Sequence, residues 1–126
     1  MKAVYATGTN YDDPLSVLEV GTMPEPETKP FWSTIRVNSA SVNHHDVWSL
    51  QGVGLSDEQT PMILGTDAAG VLEEDIPVRK GLKAGSEVVL YTFVGTDGAG
   101  VMPGERRSIL SERYAGTMAE YTQVPS

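Results

Sequence analysis

Short apolar stretches separated by glycine and proline dominate the pattern of this sequence. In the stretch at residues 31–42 apolar and polar side chains alternate with the period of two that is typical of a half-buried strand, and residues 87–94 form the strongest apolar run. The predicted strands cover residues 2–7, 15–20, 31–42, 68–74, 87–94 and 118–124. Many short strands joined by turns favour a mainly β fold, a small barrel or sandwich, over a helix bundle.

The remaining segments predict connections and short helices. Three prolines within residues 23–30 exclude a helix or a central strand there and predict an extended connector. Residues 43–50 predict one short helical turn that ends at Gly52, and residues 105–114 predict a second short helix. The glycines of residues 95–104 predict a loop.

Size and charge narrow the class of protein. The 126 residues suffice for one hydrophobic core. A formal net charge of −8 argues against nucleic acid or an anionic membrane as the main partner. No apolar run reaches the length of a signal peptide or a membrane span, so the sequence predicts a cytoplasmic protein.

Polar residues with chemical potential gather in two predicted turns. His44 and His45, the only histidines, are flanked by Asn43 and Asp46, and Asp67 occupies a second turn. These residues either build a polar pocket from two turns, or they cap and solvate loops, as Asn and Asp often do. The pattern alone leaves both interpretations open.

Metal and hydrolase chemistry are disfavoured. The sequence has no cysteine, which removes disulfides, thiolate catalysis and every zinc site that needs sulfur. His44 and His45 point to opposite faces of an extended chain and do not easily share a metal ion. A triad of Ser41, His45 and Asp46 fails because residues so close in sequence cannot lie on opposite sides of one imidazole.

A glycine-rich set at residues 98–104 invites comparison with a dinucleotide-binding fingerprint. Its spacing differs from Gly-x-Gly-x-x-Gly, and Pro103 stands where a helix would begin. The residues after Gly104 are too few for the rest of a βαβαβ unit. The sequence therefore predicts a loop and no phosphate-binding turn.

Several short motifs occur in a recognisable order. They are Pro24-x-Pro26, Asn43-x-x-Asp46, Pro61-x-x-Leu64-Gly65-x-Asp67-Ala68-Ala69-Gly70, Lys83-Ala84-Gly85-Ser86-Glu87-Val88 and Gly116-Thr117-Met118-Ala119-Glu120-Tyr121. Together they resemble the N-terminal catalytic domain of the medium-chain dehydrogenase/reductase family over nearly the whole chain. The resemblance implies that residues 1–126 form a GroES-like, partly open β-barrel with one or two short helices.

The resemblance also implies what accompanies such a domain. In complete members a Rossmann domain follows and binds NADPH or NADH, and this sequence ends near where that domain would begin. We therefore expect the substrate-side half of an oxidoreductase, inactive by itself. The family further implies a homodimer for the full-length protein and a monomer for this chain.

Two departures from the zinc-dependent members bear on the chemistry. Asn43 stands where those enzymes have a cysteine ligand, and Thr66 stands where they have the histidine of Gly-His-Glu. The segment that would carry their structural zinc has no cysteine. The resemblance is thus to the zinc-free quinone oxidoreductases and enoyl reductases, and no zinc is expected.

That branch implies hydride transfer from NADPH to a quinone, enone or carbonyl. We expect Asn43 and Asp46 to act in catalysis, Asn43, His44, Trp48 and Asp67 to contact the cofactor, and His45, Trp48 and Tyr91 to line the pocket of a small-molecule substrate. His44 and His45 are not the usual residues of that branch. Two alternatives stay open: a zinc-type alcohol dehydrogenase domain that has lost its ligands, and a non-catalytic GroES-like binding module.

Overall fold

The computed structural model of the chain describes residues 1–77, 81–95 and 108–126. The strands are β1 Lys2–Ala6, β2 Leu18–Thr22, β3 Trp32–Ser39, β4 Met62–Ile63, β5 Ala69–Leu72, β6 Glu87–Val89, β7 Phe93–Val94, β8 Ser108–Ile109 and β9 Tyr121–Pro125. The helix α1 spans His44–Leu50, and 3₁₀ turns span Pro14–Val17 and Asp57–Gln59.

The strands form open antiparallel sheets. Their orders are β2-β1-β4, β6-β5-β3-β9 and β7-β8, and a bridge from Ala3 to Ala119 links the first sheet to the segment that leads into β9. This architecture confirms the predicted mainly β, partly open barrel. Among the described residues, no helix is long and apolar enough to cross a membrane.

Two apolar clusters fill the interior. One lies between α1, β1 and β4, and the other lines the four-stranded sheet. The first contains Ala6, Leu50, Leu55, Met62 and Leu64, and the second contains Ile35, Ala68, Leu72, Ile76 and Leu90. The alternation predicted for residues 31–42 is confirmed in β3, where Ser33 and Ile35 are buried and Arg36 is exposed.

Three predicted elements need correction. Residues 15–20 are not one strand, because Pro14 fixes a 3₁₀ turn before β2 begins. The apolar run at 87–94 is divided between two sheets, since β6 pairs with β5 and β7 pairs with β8. The helix predicted at 105–114 is wrong where the structure describes it, because Ser108–Ile109 pairs with Phe93–Val94. The glycine-rich set at 98–104 lies outside the described residues.

A close backbone approach fixes the turn that carries Asp67. The N–H groups of Gly116 and Met118 donate to the carbonyls of Ile63 and Leu64 at 2.9 and 2.8 Å. A Cβ on Gly116 would overlap three carbonyl oxygens of the opposing segment, so only glycine allows this distance. The segment after β4 is therefore held from one side before it reaches the site.

Candidate functional site

The site begins at the N-terminus of α1. Asn43 has extended backbone angles, φ −120° and ψ 160°, and is the N-cap residue. Its N–H donates to Oδ2 of Asp46 at 2.8 Å, while its side chain faces the N–H of Asp46 in a capping box. The Asn-x-x-Asp spacing thus starts the helix, which is the capping role that the sequence left open.

Asp46 joins this helix to the second turn. Its side chain is buried, and its other oxygen, Oδ1, accepts the N–H of Gly65 at 3.1 Å. Both carboxylate oxygens are thereby used by backbone donors, which compensates the burial of a charge. These contacts fit an orienting function for Asp46, and its predicted part in catalysis stays a prediction.

Asp67 is held by Ser41, which lies in the segment between β3 and α1. The Ser41 hydroxyl lies 2.7 Å from Oδ1 and 2.8 Å from Oδ2 of Asp67, and the Ser41 N–H donates to Oδ1 at 3.1 Å. The backbone carbonyl of Asp67 accepts the hydroxyl of Thr117 at 2.7 Å. Hydrogen bonds therefore fix both the side-chain carboxylate and the backbone carbonyl of Asp67.

Asn43 completes this network. Its Nδ2 lies 3.2 Å from Oδ2 of Asp67, 3.3 Å from Oγ of Ser41 and 3.5 Å from Oγ1 of Thr66. An amide nitrogen has two hydrogens, so these three acceptors occupy its donor capacity with long bonds. Asn43 could donate to a ligand oxygen only by exchanging one of them.

The network makes Asp67 a stronger acid than usual. The pKa of its carboxyl lies below the ordinary 3.8, chiefly because the Ser41 hydroxyl donates to the ionised form. The Ser41 N–H and the Asn43 amide add to this effect, and burial opposes it. Asp67 is therefore a fixed negative charge at neutral pH.

The two positions that resemble zinc-ligand positions meet in space, but their chemistry does not fit zinc. Asn43 Nδ2 and Thr66 Oγ1 are 3.5 Å apart and hydrogen-bonded. An amide and a hydroxyl are not the thiolate and imidazole donors that zinc prefers. In the part of the chain that is described, no group of three His, Asp or Glu side chains is arranged to hold a metal ion.

The side chains assigned to the cofactor divide into two places. His44 and Trp48 lie one turn apart on the exposed face of α1, with ring centroids 4.8 Å apart. Asn43 and Asp67 lie at the hydrogen-bonded junction of the two turns. One helix N-terminus thus presents an aromatic pair beside a polar network.

His45 points to a partner that sequence reasoning missed. Its Nε2 lies 3.1 Å from Oε1 of Glu112, and its Nδ1 lies 3.5 Å from the buried hydroxyl of Ser49. The backbone carbonyl of Glu112 accepts Nε2 of Gln59 at 3.1 Å. His45 therefore links α1 to the segment after β8, and its assignment to the substrate pocket stays a prediction.

An open hollow lies beside Asp67. It measures about 330 Å³ and is lined by Ser39, Ala40, Ser41, Asp67, Ala68, Ala69 and Val89. Val89 also borders a second hollow that Tyr91 lines, and the exposed ring of Tyr91 packs on Phe93 with centroids 5.9 Å apart. The polar network therefore faces a cleft with an apolar wall.

The sequence signals for the missed residues were weak. The sequence places Ser41 in no motif other than the excluded triad, although a serine two residues before an N-cap can reach a neighbouring turn. Glu112 fell inside a predicted helix. Thr117 belongs to a quoted motif, but its contact with Asp67 depends on pairing across a sequence separation of 50 residues.

Comparison with known proteins identifies relatives. Residues 29–126 match the family profile of the alcohol dehydrogenase GroES-like domain. The chain is 31% identical over 109 residues to the dehydrogenase orsE of Emericella nidulans, and this alignment covers 79% of the chain and 31% of that protein.

Solved structures agree with this match. An NAD-dependent alcohol dehydrogenase superposes with a TM-score of 0.80 and 35% identity, over 99% of this chain and 37% of that one. A cobalt- and zinc-bound thermostable alcohol dehydrogenase from Pyrobaculum aerophilum gives 0.78 and 27%, over 100% of this chain and 39% of that one. The chain thus spans well under half the length of each of these proteins.

Profile, fold and motif order agree over most of the sequence. The chain belongs to the alcohol dehydrogenase GroES-like domain family, the N-terminal domain of the medium-chain dehydrogenases/reductases.

Proposed function

We propose that this chain is the substrate-side domain of an NAD(P)H-dependent oxidoreductase that reduces a quinone, enone or carbonyl without zinc. The observation that carries the proposal is the hydrogen-bonded set of Asn43, Thr66 and Asp67. It combines two positions that resemble zinc-ligand positions and fills them with oxygen and amide groups. Such groups suit the recognition of a polar ring or a carbonyl better than the binding of zinc.

Bound in the cleft, the nicotinamide would supply the hydride. The role of this chain is to position the nicotinamide and to exclude water from the cleft. Asp67 contributes a fixed negative charge beside the hollow, and such a charge favours a neighbouring cation over a neutral group. Val89 supplies an apolar wall on the same hollow. A negative charge and an apolar side chain on the same hollow suit a ring that becomes positive as it gives up hydride.

The reduced substrate also needs a stabiliser for its developing negative charge. We expect the Asn43 amide to take this role. Its bonds to Ser41 and Thr66 support the assignment, because they are long, 3.3 and 3.5 Å, and can be exchanged for a bond to the substrate. His44, exposed on α1 and packed on Trp48, is the nearest candidate in sequence for delivering a proton.

The isolated chain is expected to bind NADPH weakly and to show no turnover. Cofactor phosphates need backbone donors at a glycine turn that opens a helix, and in the described part of the chain no strand–turn–helix unit of that kind occurs. The net charge of −8 further opposes a polyanion. The solved relatives are more than twice as long as the chain, which leaves room for a cofactor domain.

Two measurements test the proposal. NADPH is titrated into the 126-residue chain by calorimetry, and the chain is then joined to the cofactor-binding remainder of the 35% identical dehydrogenase and assayed with quinones and enones. We expect no micromolar binding of NADPH by the chain and NADH-dependent reduction by the joined protein, because its cofactor half then comes from an NAD-dependent dehydrogenase. Micromolar binding or turnover by the chain alone would contradict the proposal.

A matched pair of variants locates the chemistry. In the joined protein, Asn43→Ala should slow reduction by about 100-fold, as expected for the loss of one donor to a developing anion. Asn38→Ala, an exposed asparagine at the end of β3, should leave the rate unchanged. Equal rates for both variants would exclude Asn43 from catalysis.

A zinc-type alcohol dehydrogenase is the second candidate, favoured by the cobalt- and zinc-bound relative at 27% identity. Elemental analysis of the joined protein separates the two. One zinc per chain, with activity lost on chelation and restored by added zinc, would replace the zinc-free proposal. Activity without bound metal would support it.

A further inference from the structure

We propose that Ser41 is a positioning residue that locks the Asp67 carboxylate in place and thereby orients the Asn43 amide. The proposal rests on the proposed function only for its consequence in catalysis. Its structural basis is independent, because it follows from hydrogen bonds between three described side chains.

Ser41 contacts the Asp67 carboxylate with both its hydroxyl and its backbone N–H. One hydroxyl reaches both oxygens of the same carboxylate, at 2.7 and 2.8 Å, and the N–H of the same residue donates to Oδ1 at 3.1 Å. Two donors from one residue fix both the position and the rotation of the carboxylate plane. Hydrogen bonds to an ionised acceptor are about twice as strong as neutral ones, so this contact survives partial exposure.

The orientation of the Asn43 side chain depends on the fixed position of the Asp67 carboxylate. A serine hydroxyl has one hydrogen, and here it is directed at Asp67, so Oγ of Ser41 is left to accept from Nδ2 of Asn43 at 3.3 Å. Oδ2 of Asp67 accepts from the same nitrogen at 3.2 Å. Both acceptors keep the NH₂ group of Asn43 toward the junction and its carbonyl toward the helix N-terminus.

Among the described residues, the groups that shift the pKa of Asp67 are hydrogen-bond donors. The helix that packs against the turn carries Asp46, whose two oxygens accept the N–H groups of Asn43 and Gly65. The residues preceding β9 contribute the hydroxyl of Thr117 to the Asp67 backbone. The shift of the Asp67 pKa is accordingly attributed to hydrogen bonds, first of all that of the Ser41 hydroxyl.

The consequence is a pH-dependent orientation. Above its midpoint Asp67 is an acceptor and holds Asn43, whereas protonation removes that acceptor and frees the amide. Because Ser41 stabilises the ionised form, it extends the pH range over which Asn43 is held to lower pH. In the proposed enzyme, Ser41 would thereby set the lowest pH at which the enzyme is active.

The experiment is an NMR titration of the 126-residue chain with carbon-13 in the aspartate carboxyl groups. Ser41→Ala removes the hydroxyl, Ser41→Thr keeps one, and Ser16→Ala removes an exposed hydroxyl that contacts Asn10 and Asp13. We expect the Asp67 midpoint to rise in Ser41→Ala and to stay at the unsubstituted value in the other two. An Asp67 midpoint that does not move in Ser41→Ala would overturn the proposal.

A second readout needs no variant and keeps the proposal testable if Ser41→Ala fails to fold. In the unsubstituted chain, the NMR chemical shifts of the Asn43 side-chain amide protons and of the Ser41 N–H should change with pH at the titration midpoint of Asp67. If these chemical shifts do not change at the titration midpoint of Asp67, the proposed role of Ser41 is wrong. If the lock is found and the joined protein has no reductase activity, the proposed function fails while the role of Ser41 stands.

Discussion

At the scale of single residues, buried polar groups decide what holds the site together. Asp46 is 4% exposed, yet it accepts two backbone N–H groups from different segments. A buried carboxylate is stabilising only when its oxygens are satisfied. Asp46 is therefore a structural joint of the site as much as a helix cap.

Replacement of Asp46 tests this joint. Asp46→Ala leaves the N–H groups of Asn43 and Gly65 without an acceptor, and we expect a loss of about 1–3 kcal/mol in the free energy of unfolding. Urea denaturation measures the loss. Asp12→Asn, an exposed aspartate, is the control and should change stability by less than about 0.5 kcal/mol. Equal stability of the two variants would contradict the role assigned to Asp46.

Asp67 predicts a pH dependence of stability. Its pKa is lower in the folded chain than the ordinary 3.8. A lowered pKa contributes stability that is present above the unfolded-state pKa and is lost as the pH falls through the folded-state pKa. Asp67→Asn should therefore be less stable than the unsubstituted chain at pH 7, and this difference should shrink below about pH 4. A difference that is constant from pH 7 to pH 3 would contradict the lowered pKa.

Serine is an unfavourable residue at position 111, because of its backbone conformation and its buried hydroxyl. It is fully buried, has a left-handed φ of 73°, and its hydroxyl has no hydrogen-bond partner among the described residues. Glycine accepts this backbone without strain. Ser111→Gly should stabilise the chain by about 1–2 kcal/mol, and Ser111→Ala, which keeps the Cβ, should gain less. Thermal unfolding decides, and a lower melting temperature for Ser111→Gly would refute the argument.

At the scale of elements, close contacts between segments stabilise strands that are too short to be stable alone. β4 and β7 have two residues each, too few to be stable alone. The contact of the segment at Gly116 with the residues after β4 supplies backbone bonds that such short strands lack. The site turn depends on this contact.

Gly116→Ala tests that contact. The added Cβ would overlap the carbonyls of Ile63, Leu64 and Gly65, and backbone cannot move aside cheaply. We expect a loss of about 3 kcal/mol or more in unfolding free energy. Gly8→Ala is the control, because its Cβ would meet only ordinary contacts at 3.5 and 3.8 Å. Similar stabilities for the two variants would show that the segments can separate.

At the scale of the whole molecule, the chain has cores of its own but also much exposed apolar surface. Two buried clusters fill the barrel. Val20, Phe31, Val42, Val89 and Tyr91 are all exposed. These side chains are distributed over several segments of the chain, and two of them border the cleft and its neighbouring hollow.

The state of association is a prediction at this scale. We expect the isolated chain to be a monomer at micromolar concentration, because its net charge of −8 repels a second copy. Sedimentation velocity at low and high salt measures it. A dimer that persists at micromolar concentration in low salt would contradict the expectation.

The local pattern predicted much of the fold. The alternation in β3 and the extended connector with three prolines could be predicted, and capping by Asn43 and Asp46 was one of two interpretations, because each reflects a preference of the chain for its own neighbours. The run at 87–94 was misjudged for the opposite reason. Its residues favour a strand throughout, and only pairing with β5 and β8 decides where that strand divides.

The sequence by itself determined the mainly β fold class and indicated a short helix at residues 43–50, and it predicted Asn43, Asp46 and Asp67 as site residues. The tertiary structure decided their partners. Ser41, Thr117 and Glu112 reach the site or its helix across separations of 26, 50 and 67 residues. Local preferences carry no information about such contacts, because a hydrogen bond between distant segments exists only once the packing of the barrel has brought them together.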